Sequence, residues 1–305
     1  MKTSEKVTVI MRTKNSENIV AQALAGLHSQ SYKNFSLLVV DSGSTDNTLN
    51  IVRKYPCRII QIEPGNYVPG LVLNKAIAET NSEIIVFQNS DVVQLNESAL
   101  SNLISAFDSP NTAGAYSRQI PRPEAETWVR RDYAVSFPKS LPAPPWITLS
   151  LPFAAIRRKF WEEHQFYSDA WGSEDTEWGH WAISSGYSIK YVPDSLVMHS
   201  HNYTLKQLYG RRFIEGEADA FIFRRDENWY GTAIKYLKSS LRDMMNHLIE
   251  RDYYGLLFIP AVRFVYSLAY LKGHSFGVSR IRNNDRNFEH GQKIVLQSHE
   301  SFRGK

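Results

Sequence analysis

The stretch Leu37-Leu-Val-Val-Asp-Ser-Gly-Ser-Thr-Asp-Asn-Thr48 decides the fold of this chain. Its apolar, β-branched run stops at Asp41, turns through residues 42–44, and resumes as a helical pattern at Asp46. A run that is apolar on both faces is typical of a buried strand in a parallel sheet. Ligands of open α/β sheets bind beyond the carboxyl ends of the strands, so we expect Asp41 to face a ligand. The alternative is a strand-to-helix turn whose polar residues only cap the next helix.

Length and composition fit one large globular domain, or a domain with an appendage. The chain has 305 residues, of which 43% are hydrophobic and 22% are charged. Its net charge of +4 is small for this length and argues against a nucleic-acid partner. The single cysteine, Cys57, excludes a disulfide framework and fits a cytoplasmic, reducing compartment. We expect no signal peptide, because residues 1–6 lead directly into a predicted strand. We expect no transmembrane segment, because the most apolar stretch, residues 254–271, contains Pro260 and Arg263.

Strands and short helices alternate through the first part of the chain. Strands are predicted at Val7–Met11, Phe35–Val40, Arg58–Ile62 and Glu83–Phe87, with helices at 16–30, near 49–52 and at 71–79, and a loop at 64–70. This order predicts an α/β fold with a mostly parallel central sheet flanked by helices. The first strand is not followed by Gly-x-Gly-x-x-Gly, and the chain has no Walker motif, which argues against dinucleotide-binding oxidoreductases and P-loop enzymes.

The rest of the chain departs from this alternation. Residues 119–150 are rich in proline and aromatic residues and are interpreted as an insertion over the active face. Strands are predicted at 151–157, 188–192 and 196–198, and helices at 173–183, with Ser173 as N-cap, at 204–224 and at 232–250. The tail from Asn283 is polar and is expected to be mobile.

Seven short motifs give the chain a resemblance to the family 2 glycosyltransferases of the GT-A fold. They are Arg12-Thr-Lys-Asn15, Val40-Asp-Ser-Gly-Ser-Thr-Asp46, Leu73-Asn-Lys-Ala76, Gln88-Asn-Ser-Asp91, Ala155-Ile-Arg-Arg158, Ser173-Glu-Asp175 and His199-Ser-His-Asn-Tyr203. Each motif is weak alone, but all seven follow the order of the family. The resemblance covers about residues 6–225, and the last two motifs are most similar to rhamnosyltransferase-like members.

The resemblance implies a role for each of these motifs. It implies Asp175 as the catalytic base, with Glu174 beside it as the competing candidate, and Asp91 and His199 as ligands of Mg²⁺ or Mn²⁺. The residues implied in binding the donor nucleotide are Arg12, Thr13, Asn15, Asp41, Ser42, Asn74, Asn89 and Ser90.

The chain departs from the family pattern at two positions. Asn89 replaces the first acid of the family's Asp-x-Asp motif, which leaves metal dependence open. Leu73 stands where many members carry an arginine, so a phosphate contact is lost or supplied elsewhere.

The resemblance implies an inverting glycosyltransferase that takes a sugar from a nucleotide diphosphate, such as dTDP-rhamnose or a UDP-sugar. The acceptor is expected to be a saccharide or a lipid-linked saccharide in surface polysaccharide synthesis. The alternatives are a non-catalytic nucleotide-sugar-binding protein and a scaffold of a polysaccharide assembly complex.

Two domains are predicted, a glycosyltransferase domain at 1–225 and a helical C-terminal extension with a polar tail at 226–305. Residues 254–271 leave two interpretations open. One is a peripheral contact with the inner face of the membrane, and the other, which we favour, is a helical hairpin packed on the core or on another subunit.

Overall fold

A central sheet of eight strands organises the chain in this computed structural model, which describes residues 7–63, 65, 67–225, 227–287 and 289–300. The strands are β1 Val7–Thr13, β2 Phe35–Asp41, β3 Arg58–Gln61, β4 Ile84–Asn89, β5 Val93–Gln94, β6 Thr112–Ile120, β7 Phe153–Arg157 and β8 Ser188–Met198. The helices are α1 Val20–His28, α2 Thr48–Val52, α3 Pro69–Ala78, α4 Ala99–Ser105, α5 Thr127–Ser136, α6 Arg158–Glu163, α7 Glu174–Ser184, α8 Leu205–Phe223, α9 Trp229–Ile249, α10 Tyr253–Arg282 and α11 Glu289–Glu300.

The strands lie in the order β3-β2-β1-β4-β7-β6-β8-β5. All of them run in one direction except β7 and β5, which pair antiparallel with their neighbours. The carboxyl ends of β1, β2, β4, β6 and β8 therefore meet at one edge of the sheet. The predicted α/β class with a mostly parallel sheet is confirmed.

The sheet is buried on both faces, as the apolar runs predict. Successive residues of β1 point to opposite sides, so Ile10 packs in one hydrophobic cluster while Val9 and Met11 pack in the other. The same alternation divides β2, where Leu38 joins the first cluster and Leu37 the second. This double burial explains why these strands read as continuous apolar runs.

Several local details differ from the predicted elements. The predicted insertion at 119–150 contains the helix α5, and β6 before it was not predicted. Pro69 and Gly70 belong to α3 and not to the loop, because proline fits the first turn of a helix; Pro64 and Asn66 of that loop lie outside the described residues. The polar tail that was expected to be mobile forms α11.

Two further predictions concern strand and helix limits. The strands predicted at 188–192 and 196–198 form one strand, β8, with a bulge where Ser117 pairs with Val192 and Arg118 pairs with Leu196. Ser173 precedes α7 with a φ of 58°. That backbone conformation is left-handed and not the extended one typical of an N-cap residue.

The chain divides into two compact units. The first comprises Met1–Arg122, Tyr133–Tyr167 and Glu174–Ser200, and the second comprises Pro123–Asp132, Ser168–Ser173 and His201–Lys305. These units do not coincide with a boundary after residue 225, which stays a prediction. By length and composition alone, α10 could cross a membrane, and 17% of its most apolar 18-residue window is buried in the protein.

Candidate active site

The predicted donor-binding residues at the ends of β1, β2 and β4 are neighbours in the sheet. Thr13 of β1 stands beside Asp41 of β2, and Arg12 stands beside Asn89 of β4. Parallel pairing creates this arrangement, because it aligns the strand ends at one edge. The first unit therefore gathers motifs that are up to 77 residues apart in the chain.

Asp41 organises the turn that follows β2. Its side chain is fully buried, and its Oδ2 accepts hydrogen bonds from the backbone nitrogens of Gly43 at 3.1 Å and Ser44 at 3.0 Å. Its Oδ1 accepts a third hydrogen bond from Ser44 Oγ at 2.5 Å. The sequence predicts direct contact with the donor, but in this arrangement both carboxylate oxygens bind the protein's own turn. We propose that Asp41 acts on the donor through the turn.

Asn15 joins the β1 and β2 turns. Its backbone has a left-handed φ of 47°, which asparagine tolerates better than most residues. Its nitrogen donates to Ser44 Oγ at 2.9 Å, while its Oδ1 accepts from the nitrogen of Thr45 at 2.8 Å. The backbone nitrogen of Ser42 donates to the carbonyl of Thr13, which ties the same two turns together.

Thr13 and Ser90 supply hydroxyl groups at the same edge. The Oγ1 of Thr13 is buried and has no hydrogen-bond partner among the residues that the structure describes. Ser90 lies at the end of β4, where its hydroxyl is 2.8 Å from the hydroxyl of Ser16. A buried hydroxyl without a protein partner is available to a ligand atom.

Arg12 connects β4 with the helix α7. Its Nη1 donates to Glu174 Oε1 at 3.0 Å, and its Nη2 donates to Asn89 Oδ1 at 3.3 Å. Burial alone would lower the pKa of Arg12, but the nearby Tyr67 and Glu174 hold it above its ordinary value. The guanidinium therefore stays charged and fixes Glu174 beside the end of β4.

Asp175 occupies the first turn of α7, as predicted. One of its oxygens accepts from the backbone nitrogen of Leu151 at 3.3 Å, and the other accepts from that of Thr176 at 2.8 Å. Backbone donors and the positive end of the helix both favour the ionised carboxylate. Asp175 is half-buried, whereas Glu174 is buried and bound to Arg12.

Asp91 and His199 converge although they are more than a hundred residues apart. The distance from His199 Nε2 to Asp91 Oδ2 is 3.7 Å. The other ring nitrogen, Nδ1, lies 2.8 Å from Gln119 Oε1. The amide nitrogen of Gln119 donates to Ser150 Oγ, which assigns Oε1 as the acceptor and places the proton of His199 on Nδ1.

This geometry is suited to a cation. With the proton on Nδ1, Nε2 carries a lone pair and faces a carboxylate oxygen. Two ligand atoms at about 2.1 Å from one Mg²⁺ or Mn²⁺ ion would lie about 3–4 Å apart, which matches the measured distance. His199 and Asp91 thus form a candidate metal site.

Three residues around this site were not predicted from the sequence. Gln119 is the second-last residue of β6 and orients His199, and Tyr133 OH lies 3.4 Å from His199 Nδ1. Arg122 donates to the carbonyl of Asp91. The sequence gives little indication of these three residues. Gln119 lies in β6, which lacks the continuous apolar run of the other strands, and the other two follow that strand.

Asn74 forms hydrogen bonds with Trp161 and Phe166. Its Oδ1 accepts from Trp161 Nε1 and from the backbone nitrogen of Phe166, both at 2.9 Å. Its Nδ2 donates to the carbonyl of Phe166 at 2.8 Å. These three hydrogen bonds give Asn74 a structural role, and its part in donor binding stays a prediction.

Comparison with known proteins identifies relatives over most of the chain. The model of "Glycosyl transferase family 2" matches residues 8–174. The O-antigen chain rhamnosyltransferase WbaN of Salmonella anatum is 29% identical over 240 residues, which cover 69% of this chain and 72% of the relative. The O-antigen chain rhamnosyltransferase RfbN of Salmonella typhimurium is 26% identical over 263 residues, which cover 79% and 82%.

A solved structure shares the fold. The mannosyltransferase PcManGT from Pyrobaculum calidifontis, in complex with GDP-Man and Mn²⁺, superposes with a TM-score of 0.64 at 17% sequence identity. The match covers 91% of this chain and 88% of that protein. At this identity, the similarity establishes the fold alone.

Proposed function

Because this chain belongs to glycosyl transferase family 2, we propose that it moves a sugar from a nucleotide diphosphate to a saccharide or lipid-linked saccharide hydroxyl, with inversion at the anomeric carbon. The chain is a glycosyltransferase of polysaccharide synthesis with the GT-A fold. The observation that carries the finer proposal is the meeting of Asp91 Oδ2 and His199 Nε2 at 3.7 Å, at the sheet edge that also holds Arg12 and Asn89.

The proposed donor follows from the relatives. WbaN and RfbN are both named rhamnosyltransferases, which supports dTDP-rhamnose as the first donor to test and a UDP-sugar as the second. Residues at the ends of β1, β2 and β4 would hold the nucleotide, with Thr13, Asn15, Ser42 and Ser90 nearest to it. Asn89 would contact the donor with the part of its side chain that Arg12 does not bind, because Arg12 donates to its Oδ1.

Asp91 and His199 would hold Mg²⁺ or Mn²⁺, because their donor atoms and spacing fit either ion. When bound, the ion would neutralise negative charge on the diphosphate leaving group. Gln119 keeps the proton of His199 on Nδ1, which leaves Nε2 free of a proton. Such an orienting partner typically changes metal affinity by about 10–100-fold when it is lost.

In the proposed reaction, the carboxylate of Asp175 accepts the proton of the acceptor hydroxyl. The acceptor oxygen forms a bond with the anomeric carbon while the bond from that carbon to the diphosphate breaks. The backbone nitrogens of Leu151 and Thr176 donate to this carboxylate and hold it in place. A positioned general base typically contributes about 10²–10⁴ in rate.

Donor binding tests this proposal. Nucleotide sugars are added to the purified chain with and without Mn²⁺, and the thermal midpoint is followed. A donor at 100 times its Kd stabilises the folded state by about 2.7 kcal/mol. Asp91→Asn should reduce the Mn²⁺-dependent part of the shift, whereas Asp194→Asn, at an exposed acid in β8, should leave it unchanged.

The outcome separates the candidate functions. A shift that is equal in Mn²⁺ and in EDTA would contradict the metal site. Donor binding without release of nucleoside diphosphate or sugar transfer would favour the non-catalytic nucleotide-sugar-binding protein. Asn89 is the residue that supports the non-catalytic alternative, since it replaces an acid of the family motif.

A further inference from the structure

The helix α9 is amphipathic in the inverted sense. Its buried positions are polar, and they are Thr232, Ser240, Asp243 and His247. Its exposed large hydrophobic side chains include Leu237, Leu241, Met245 and Leu248. These four are spaced by four, four and three residues, which places them on one face of a helix. A helix that buries polar groups and exposes an apolar stripe is adapted to an apolar environment outside the protein.

Ion pairs and hydrogen bonds within the second unit hold the polar face inward. Arg263 of α10 is buried, and its Nε donates to Asp243 Oδ2 at 2.5 Å while its Nη2 contacts both oxygens of Asp132. His247 Nδ1 lies 2.9 Å from Asp252 Oδ2. Rotating α9 to bury its apolar stripe would break these pairs and leave buried charges without partners, which is strongly unfavourable.

The apolar stripe continues across the turn into α10. Ile249, at the end of α9, is 75% exposed, and Tyr254 and Leu257, in the first turns of α10, are 76% and 77% exposed. We call the stripe of α9 together with these three residues the apolar hairpin face. An exposed apolar surface of this extent marks an interaction site in soluble proteins.

The same hairpin is rich in basic residues. Residues 229–282 contain eight lysines and arginines against three acids, and two of the eight, Arg263 and Arg280, are buried in ion pairs with acids. Among these basic residues, Lys235, Lys238, Arg242 and Arg251 are exposed in α9 and the turn, and two of them form ion pairs, Lys235 with Glu227 and Arg242 with Asp132 and Asp243. Aromatic residues are also exposed at the start of α9, where Trp229 lies, and at the start of α10, where Tyr253 lies.

We propose that the apolar hairpin face docks on the surface of an anionic lipid bilayer. Exposed apolar side chains that are flanked by lysine and arginine are typical of helices that lie in the membrane interface. Tyrosine and tryptophan prefer the headgroup level, and each basic residue near an anionic surface adds attraction. The charge and the apolar area therefore act together on one partner.

Packing of α10 favours docking over spanning. The second half of α10 lies against α8 so closely that a Cβ on Gly273 would meet the carbonyl oxygen of Phe213 at 1.9 Å. A Cβ on Gly216 of α8 would likewise meet the carbonyl oxygen of Tyr270 at 2.2 Å. Such backbone contact commits that half of α10 to the protein, and only its first turns are available to lipid.

A second copy of the chain is the less favourable occupant. A symmetric dimer would place the same surface on both sides of the interface. Two such faces, each flanked by exposed basic residues such as Lys238 and Arg251, would then repel each other, whereas an anionic bilayer attracts both. Docking extends the proposed function, since a lipid-linked acceptor would be found at such a surface, but vesicle binding can be measured without catalysis.

Vesicle co-sedimentation of the full-length chain tests the proposal. The vesicles consist of phosphatidylcholine alone or of phosphatidylcholine with phosphatidylglycerol, at an ionic strength of about 0.1 M. We expect binding to the anionic vesicles. The double variant Ile249→Glu/Leu257→Glu should reduce the partition coefficient by about 100-fold or more, because each side chain contributes about tenfold when it is buried in lipid.

A charge variant and two controls complete the design. Lys238→Glu should weaken binding to anionic vesicles by about tenfold and leave the weak binding to neutral vesicles unchanged. The controls are Ile183→Glu, at an exposed apolar site of α7, and Lys54→Glu, at an exposed lysine after α2, and both should bind as the wild type does. Far-UV circular dichroism confirms that each variant is folded.

Three results would overturn the proposal. The first is a wild-type chain that does not bind anionic vesicles, and the second is binding that the double variant retains. The third is a wild-type dimer in sedimentation velocity that Ile249→Glu/Leu257→Glu converts to a monomer, which would assign the face to a second copy of the chain.

Discussion

The two adjacent acids of α7 should respond differently to the loss of their charge. In Asp175→Asn, the amide oxygen can keep one backbone donor, Thr176 or Leu151, and the other donor loses its partner. An unsatisfied backbone group costs about 1–3 kcal/mol, and we expect the lower end because Asp175 is only half-buried. Transfer should fall by about 10²–10⁴, because the amide cannot accept the proton of the acceptor hydroxyl.

Glu174→Gln should lose more stability and less turnover than Asp175→Asn. The side chains of Arg12 and Glu174 are 17% and 10% exposed, so removing the carboxylate leaves a buried guanidinium without its ionised partner. Breaking such a pair costs about 3–5 kcal/mol, and we expect about 3 kcal/mol because the Gln amide oxygen still accepts from Arg12. The loss of turnover should then be smaller than in Asp175→Asn.

Two assays on each variant separate the roles. Urea unfolding at pH 7 gives the free energy of unfolding, and release of nucleoside diphosphate with the identified donor gives kcat. Glu177→Gln, in the same helix, is the matched control for a lost carboxylate. The assignment is refuted if Asp175→Asn retains near-normal turnover while Glu174→Gln is inactive but stable. If neither change affects turnover, both acids serve only the helix terminus.

Three further changes test the turn, the second unit and the core. Asp41→Ala removes three hydrogen bonds and should lower the free energy of unfolding by about 2–3 kcal/mol along with nucleotide affinity, as seen in urea unfolding and calorimetry; unchanged stability would contradict its buried role. Arg280→Met should cost about 3–5 kcal/mol, because it leaves the carboxylate of Glu217 buried without its charged partner, and adding Glu217→Leu should recover part of that loss. Burial raises the pKa of Tyr116 to about 12, so the stability that its neutral phenol contributes is complete below pH ~10 and is lost as the pH rises to ~12. Tyr116→Phe should flatten this alkaline decline, and an unchanged slope in pH-dependent urea unfolding would be evidence against it.

The sequence predicts the sheet well because burial leaves a clear pattern. Strands β1, β2 and β4 are apolar on both faces, and each ends in a polar motif, so their place beside the ligand-binding edge could be inferred. The strand β6 was not predicted because its sequence, Thr-Ala-Gly-Ala-Tyr-Ser-Arg-Gln-Ile, lacks a run of large apolar residues. Small residues stand at positions where neighbouring groups pack closely. That miss also concealed Gln119, which orients His199.

Site geometry was predicted less completely, since polar residues in loops serve structure and ligands alike. Asp91 and His199 were correctly expected to converge. Asp41 and Asn74 have the residue types of ligand contacts, yet their polar atoms form hydrogen bonds with backbone and side-chain groups of the protein itself. The sequence also did not predict that α9 exposes its apolar side chains. The spacing of these residues predicts a stripe along one face of the helix, but it does not tell whether that face points to the core or to solvent.

Release of nucleoside diphosphate by the purified chain is the most direct test of the account. The assay uses dTDP-rhamnose and a panel of UDP- and GDP-sugars, each with Mn²⁺ or with EDTA, and compares the wild type with Asp91→Asn and Asp194→Asn. The account predicts that one donor is turned over in Mn²⁺, that EDTA abolishes the reaction, and that only Asp91→Asn needs more Mn²⁺ to reach half-maximal rate. Equal turnover in Mn²⁺ and EDTA, or unchanged Mn²⁺ dependence in Asp91→Asn, would contradict the metal site at Asp91 and His199.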